Sequence, residues 1–243
     1  MFDMKAKINY RDLNKNWKPR LDTLTSYLQE SAILHSETIG FNANYMLKNK
    51  CAWILNKLAI EIFKLPKLRD EIKITTWSRE IHTVKAYRDF NVYLDDELIV
   101  KASSLWVFVD ATTKKLKRIP DEVKNMYGEE KISNGIDPEK FNFEPDKIKN
   151  SNLILKEHTI RYTDIDTNGH MNNTTFFTLL EDILLEKFGD FNIGEINICF
   201  KNEVLYEQKT IKVALTQSSD EIYDFVFFND DIIFSYGRVK ICF

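Results

Sequence analysis

Two stretches of this chain decide its fold: Ile8–Ser31, INYRDLNKNWKPRLDTLTSYLQES, and Ile160–Ile183, IRYTDIDTNGHMNNTTFFTLLEDI. Laid over one another at a spacing of 152 residues, they pair Ile8 with Ile160, Tyr10 with Tyr162, Asp12 with Asp164 and Asn16 with Asn168. Further along, Leu24 meets Phe176, Leu28 meets Leu180, and Gln29-Glu30 meet Glu181-Asp182. Solenoid repeats recur every ~20–50 residues, so a period this long implies two copies of one domain.

Each copy runs in the same order. A short strand leads to a polar turn, then a helix, then several strands. Leu24, Leu28 and Ala32 form an i, i+4, i+8 stripe, and Phe176, Leu180, Ile183 and Leu184 repeat it. A stripe one helix face wide fits burial against a sheet. Period-2 alternation follows at Ile72 and Ile74, at Phe90, Val92 and Leu94, at Ile196, Ile198 and Phe200, and at Ile211, Val213 and Leu215. Asp95-Asp96 and Asn229-Asp230-Asp231 read as hairpin turns. The charged, proline-bearing stretch from Ile119 to Asn150 shows no sustained period and reads as a linker with one helical turn. The expected organisation is a first domain over residues 1–120, a linker over 121–155 and a second domain over 156–243. A long helix against an antiparallel sheet, duplicated, is a two-layer α+β architecture.

Composition narrows the function. Of 243 residues, 44% are hydrophobic and 29% charged, as in a globular protein with a real core. The net charge of −3 argues against nucleic acid as the main partner, which needs a basic face. None of the seven glycines forms a GxG pair, which excludes dinucleotide-binding and Walker-type loops. Three dispersed cysteines (Cys51, Cys199, Cys242) fit a reducing compartment. The opening residues MFDMKAKINY lack the apolar stretch of a signal peptide, and no run approaches the ~18 apolar residues of a membrane span. Residence in the cytoplasm, with no membrane partner, is the expectation.

The polar turn of the second copy concentrates chemistry. Tyr162, Asp164, Asp166, Asn168, His170, Asn172 and Asn173 crowd between a strand and an apolar helix, where a rigid scaffold displays functional groups. Asp164-x-Asp166-x-Asn168-Gly169 also fits the opening of an EF-hand calcium loop. That loop needs a glutamate at its twelfth position, where this chain has Thr175, and an entering helix where LKEHTIRYTD alternates like a strand. His35, His82, His158 and His170 show no zinc spacing, so no metal and no cofactor is expected. The first copy is an internal control. It holds Asn14 in place of Asp166 and Lys18 in place of His170, so the acid and the imidazole are not needed merely to build the turn. The structural alternative is a capped helix start, at Asn172 or Asn173 with Thr174, beside a surface histidine.

With Glu203 in INICFKNEVLYEQ, the second-copy motif resembles the acyl-acyl-carrier-protein thioesterases. The first half carries further matching features: Trp53, Thr76-Trp77, Arg88-Asp89-Phe90, Ala102-Ser103-Ser104-Leu105-Trp106 and Arg118-Ile119-Pro120. The resemblance spans nearly the whole chain, and without a recognisable plastid transit segment a member of the bacterial type is the expectation. It implies two tandem hot-dog domains, each a long helix wrapped by an antiparallel sheet, which agrees with the repeat. It implies hydrolysis of fatty acyl-acyl-carrier protein to free fatty acid, ending chain elongation. The first domain would shape the acyl pocket and the second would be catalytic.

By the same resemblance Asp166, Asn168, His170 and Glu203 are the catalytic residues. Glu203 would be the base that activates water, with burial raising its pKa toward working pH. Asn168 and His170 would donate hydrogen bonds, backbone N–H groups near Gly169 and Met171 would hold the oxyanion, and Asp166 would orient His170 or Asn168. Some plant relatives have a cysteine directly after the glutamate. This chain has Val204 there, and Cys199 is five residues away, which argues against a covalent cysteine mechanism. The implied partner is acyl carrier protein, an acidic protein that would meet local positive charge at Lys114-Lys115-x-Lys117-Arg118 or at Lys64, Lys67 and Arg69. Two other readings stay open: a hot-dog acyl-CoA thioesterase using Asp164 or Asp166, and a non-catalytic acyl sensor. The sequence also leaves open whether two chains associate as a homodimer.

Overall fold

The computed structural model describes residues 1–141, 143–149 and 154–243. Residues 142 and 150–153 of the expected linker lie outside the described residues. The chain divides into two compact units. The first is Met1–Tyr10 with Ser26–Lys140, and the second is Arg11–Thr25 with Phe141–Phe243. The turn of the first copy therefore belongs with the second unit.

In the first unit, β1 (Phe2–Lys7), β2 (Cys51–Ile62), β3 (Glu71–Ile81), β4 (Lys85–Leu94) and β5 (Glu97–Asp110) pair antiparallel in the order β1-β3-β4-β5-β2. Helices α1 (Leu21–Thr38, from Ser26 onward), α2 (Ala43–Asn49) and α3 (Asp121–Tyr127) accompany them. In the second unit, α4 (Pro145–Lys149) and α5 (Asn173–Phe188) accompany β6 (Ile154–Thr159), β7 (Asn192–Phe200), β8 (Thr210–Ser219), β9 (Ile222–Asn229) and β10 (Ile232–Cys242). Their order is β6-β8-β9-β10-β7. The two orders are the same once the repeat is applied, so the duplication read in the sequence is a duplication of topology. Both units are α+β. Among the described residues no helix is long and apolar enough to cross a membrane.

The periodic stretches fold as their spacing requires. Ile72, Ile74, Phe90, Val92, Ile196, Ile198, Ile211, Val213 and Leu215 are all buried. Asp95-Asp96 joins β4 to β5 and Asp230-Asp231 joins β9 to β10, with Asp95 at φ 54 and Asp230 at φ 48. Aspartate tolerates this left-handed conformation better than other non-glycine residues.

The helices are buried more widely than a one-face stripe predicts. On α5, Thr175, Phe176, Phe177, Leu179, Leu180, Glu181, Ile183 and Leu184 are all buried. Phe176 meets Phe227 and Phe200 edge-on at 5.0 and 5.6 Å, which places the sheet on one side. Glu181 takes hydrogen bonds from Asn14 Nδ2 (2.9 Å) and the Leu21 backbone N–H (2.7 Å), which places residues 11–25 on the other. Burial pushes the Glu181 carboxyl up, against the pull of those two donors.

The stretch read as linker is largely strapped to the first unit. The backbone N–H groups of Glu130 and Lys131 donate to Ser78 and Arg79 carbonyls, and Trp77 Nε1 donates to the Ile132 carbonyl at 2.7 Å. Asn134 bonds the Phe90 and Ala102 carbonyls through Nδ2 and the Asp89 carboxylate through its N–H. Polar composition reads as solvated loop, but here those polar groups satisfy backbone and buried charge. In the second unit, Ile148 of α4 packs with Ala214, Val226 and Ile233.

Gly237 sits mid-strand in β10, between Ile198 and Phe225. A Cβ there would lie 2.0 Å from the Asn197 carbonyl oxygen and 2.5 Å from Phe225 Cζ. Gly237→Ala therefore forces backbone apart and is expected to cost about 3 kcal/mol, read as a lowered urea midpoint.

Candidate active site

The polar motif of the second copy folds as a closed turn between β6 and α5. The Asp166 N–H donates to the His170 carbonyl at 2.8 Å, and the Gly169 N–H to the Asp166 carbonyl at 3.0 Å. Asp166 Oδ1 accepts the N–H of Asn168 at 2.7 Å and of His170 at 3.4 Å. Gly169 takes φ 81, a left-handed conformation that glycine adopts without steric cost. Asn172 begins α5 as its N-cap, accepting the Thr174 N–H at 2.9 Å, so Asn173 is the first helical residue.

The first copy builds the same turn with different residues. Asn14 N–H donates to the Lys18 carbonyl at 2.8 Å, and Trp17 N–H to the Asn14 carbonyl at 3.0 Å. Asn14 Oδ1 accepts the N–H groups of Asn16 and Lys18 at 2.9 and 3.2 Å. Trp17 stands where Gly169 does, at φ 60. An amide thus closes the turn as well as a carboxylate does. Closing the turn therefore requires neither the charge of Asp166 nor the ring of His170. Lys18 is used differently, because its ammonium holds Asp190 Oδ1 at 2.6 Å and the Phe191 carbonyl at 2.9 Å.

The four expected residues are brought together in the second unit. His170 Nε2 lies 2.9 Å from Glu203 Oε2. Asp166 Oδ2 lies 3.4 Å from Asn168 Nδ2. The carboxylate that meets the imidazole is thus Glu203, while Asp166 serves the turn and Asn168. Glu203 is not on β7 but in the loop after it. That loop is fixed by the Met171 N–H donating to the Val204 carbonyl at 2.8 Å, and by a bridge between His170 and Leu205. The Glu203 side chain is 41% exposed, so the burial expected of it is not found; its neighbour is the 19% exposed His170 ring.

Asp164 is spoken for. Its carboxylate accepts Arg161 Nη2 at 2.7 Å, the Arg161 N–H at 2.8 Å and His158 Nε2 at 2.9 Å, and its carbonyl accepts the Asn172 N–H. Burial works to raise this acid, but the Arg161 and His158 hydrogen bonds outweigh it and hold the carboxyl below its ordinary value. Asp164 braces the turn against β6 and the start of α5. The part of His158 was missed in the sequence, although its period-2 position on a strand facing the motif marks it. Cys199 is buried on β7 and Val204 is buried beside Glu203.

A helix laid against an antiparallel sheet, built twice in one chain, with an Asp, Asn, His and Glu cluster at the second helix start, defines a tandem hot-dog protein. Residues 1–127 match the family model for the acyl-ACP thioesterase N-terminal domain, and residues 147–237 that for the C-terminal domain. The chain belongs to the acyl-ACP thioesterase family. It is 27% identical over 243 aligned residues to oleoyl-acyl carrier protein thioesterase 2, chloroplastic, of Arabidopsis thaliana, covering 91% of this chain and 65% of that protein. It is 24% identical to a palmitoyl-acyl carrier protein thioesterase of Gossypium hirsutum, covering 93% of this chain and 58% of that one. The chain therefore spans about six tenths of the length of these relatives. Among solved structures, an acyl-ACP thioesterase from Bacteroides thetaiotaomicron superposes with a TM-score of 0.87 at 19% identity, covering 98% of this chain and 96% of that one. The 12:0-ACP thioesterase from Umbellularia californica does so with 0.85 at 17%, covering 99% and 96%. These likenesses establish the fold.

Because Asn14 closes the first-copy turn, Asp166→Asn is expected to keep the wild-type thermal midpoint. Asp166→Ala leaves the Asn168 and His170 N–H groups without their acceptor and costs about 1 kcal/mol. Paired melting curves of the two variants check this.

Proposed function

We propose that this chain hydrolyses the thioester of fatty acyl-acyl-carrier protein and releases the free fatty acid. The observation that carries the proposal is the 2.9 Å contact between His170 Nε2 and Glu203 Oε2 beside the Asp166–Asn168 turn, in a chain of this family. Thioester hydrolysis needs a proton acceptor for water, donors for the developing oxyanion and a proton for the departing thiolate. A Glu–His pair supplies the first and the last. Water loses a proton to the pair as its oxygen bonds the carbonyl carbon. The tetrahedral intermediate then collapses, the C–S bond breaks, and the pair returns the proton to sulfur. Asn168 is the side-chain donor for the oxyanion, and Asp166 holds it. Glu203 is the base in this reading, with His170 orienting it. Three free cysteines, with Cys51 and Cys199 buried, support a reducing compartment such as the cytoplasm.

The base can be told from its orienter. Glu203→Gln can still accept from the ring but cannot take a proton. With Glu203 as the base, single-turnover hydrolysis of a panel of acyl-carrier-protein thioesters falls about a hundredfold or more in this variant. A small loss there with a large one in His170→Ala would make the imidazole the base. No hydrolysis by wild type, with acyl groups still bound, would overturn the reading in favour of a sensor. Faster turnover of acyl-CoA than of any carrier-bound chain would favour the CoA enzyme.

The carrier protein is acidic, and the proposed docking point is the tip after β5. There Leu116 is 64% exposed between exposed Lys115 and Arg118. The alternative cluster is partly neutralised, because Lys64 pairs with Glu97. Lys115→Glu with Arg118→Glu is expected to raise KM for the carrier-bound substrate about tenfold at low salt and to flatten its salt dependence. Steady-state kinetics across ionic strength, with a thermal melt to show the fold intact, make the check.

A further inference from the structure

The helix-side interior of the first unit contains a buried guanidinium with no counter-charge. Arg88 lies mid-strand on β4, opposite Ser78 on β3 and Ser104 on β5, and is 6% exposed. Its Nη1 lies 2.9 Å from His35 Nδ1 on α1 and 3.2 Å from Thr76 Oγ1. Among the described residues the guanidinium's hydrogen bonds run through Nη1, and no carboxylate pairs with it. Its immediate neighbour Asp89 points to the other face, where it binds Arg79, Ser103 and Asn134.

The surrounding groups cannot supply the missing negative charge. Burial and the adjacent guanidinium hold His35 down at about 4, so at neutral pH the ring is uncharged and accepts through Nδ1. Burial lowers Arg88 to about 10, which still leaves it protonated. Tyr127, whose ring lies 5.7 Å from Arg88 Cζ, is pushed up by burial and stays a phenol, donating to Ser36 Oγ at 2.8 Å. Glu130 reaches His35 only through space and is held by the Met1 ammonium at 2.6 Å. One buried donor is unmet here. Trp53 packs edge-on against Tyr127 at 6.0 Å, and its buried Nε1 approaches the hydroxyl without hydrogen-bond geometry. A buried cation without a counter-charge is costly until an anion meets it.

We infer that this interior is a carboxylate-binding site, in which Arg88 presents Nε and Nη2 as a two-pronged fork to the ligand while His35 and Thr76 hold Nη1. The planar fork matches the two oxygens of a carboxylate and not a spherical ion. Stacking of Phe2 on His35 at 5.7 Å and the Tyr127 ring give the site apolar walls, which suit a carboxylate on a hydrocarbon chain. The ligand has two sources, a free fatty acid or a small soluble acid. The site is separate from the His170–Glu203 pair, and the inference does not rest on the hydrolytic reading.

The test follows the His35 ring resonance and the thermal midpoint of the whole chain at neutral pH. Sodium acetate, sodium octanoate, sodium chloride at matched ionic strength, and uncharged octanol are added in turn. Wild type is expected to show a saturating His35 shift and a raised midpoint with a carboxylate. Tighter binding of octanoate identifies the fatty acid as the source, and equal binding of acetate the small acid. Arg88→Met is expected to weaken binding by about tenfold or more. Arg88→Lys, which keeps the charge and loses the fork, weakens it several-fold and serves if the methionine variant does not fold. No His35 shift with either carboxylate, an unchanged response in the variants, or an equal response to chloride or octanol would overturn the inference.

Discussion

Everything at the candidate site hangs on one small electrostatic requirement. Where the chain leaves a strand, reverses and enters a long helix, two backbone N–H groups point inward and need an acceptor. Residue 166 supplies it in the second copy and residue 14 in the first, at nearly the same distances. An Asx side chain at that point fixes the loop, and the loop fixes where residues 168 and 170 stand. The Met171 N–H then ties the loop to Val204, which delivers Glu203 to the imidazole. The imidazole and its carboxylate partner stand on a turn that closes equally well without them.

Much of this was readable in advance. The 152-residue repeat carried the topology, because the same hydrophobic spacing twice over produces the same strand order twice over. Aspartates at the hairpins and asparagine at the head of α5 declared themselves by their local backbone preferences. Three parts did not. The width of the buried face on α5 depends on residues 11–25 covering its far side, a contact between positions more than 150 apart. The strap at residues 129–136 looks like solvated loop, because its hydrogen bonds go to β3, β4 and β5 and leave no periodic mark. The pairing of His170 with Glu203 rather than with Asp166 is a matter of which loop is pinned where, which spacing does not encode.

The two units also differ in how they handle buried charge. In the second, the buried Asp164 carboxylate is met by Arg161 and His158. In the first, Asp89 is satisfied on the outer face, whereas Arg88 on the helix side has only neutral partners. Duplicated architecture therefore does not entail duplicated electrostatics, and that contrast separates a site that is internally balanced from one that asks for an outside anion.

The pinning of Asp190 and Phe191 by Lys18 has an evolutionary reading. When a fold is assembled from identical protomers, one gene writes every position twice, and a residue gained for chemistry in one half is imposed on the other. Fusing the halves lifts that rule. One copy of this position holds an imidazole facing a glutamate, while its sibling holds an ammonium that clamps the turn between α5 and β7. Two copies of one turn thus carry different side chains to different partners within a single reading frame.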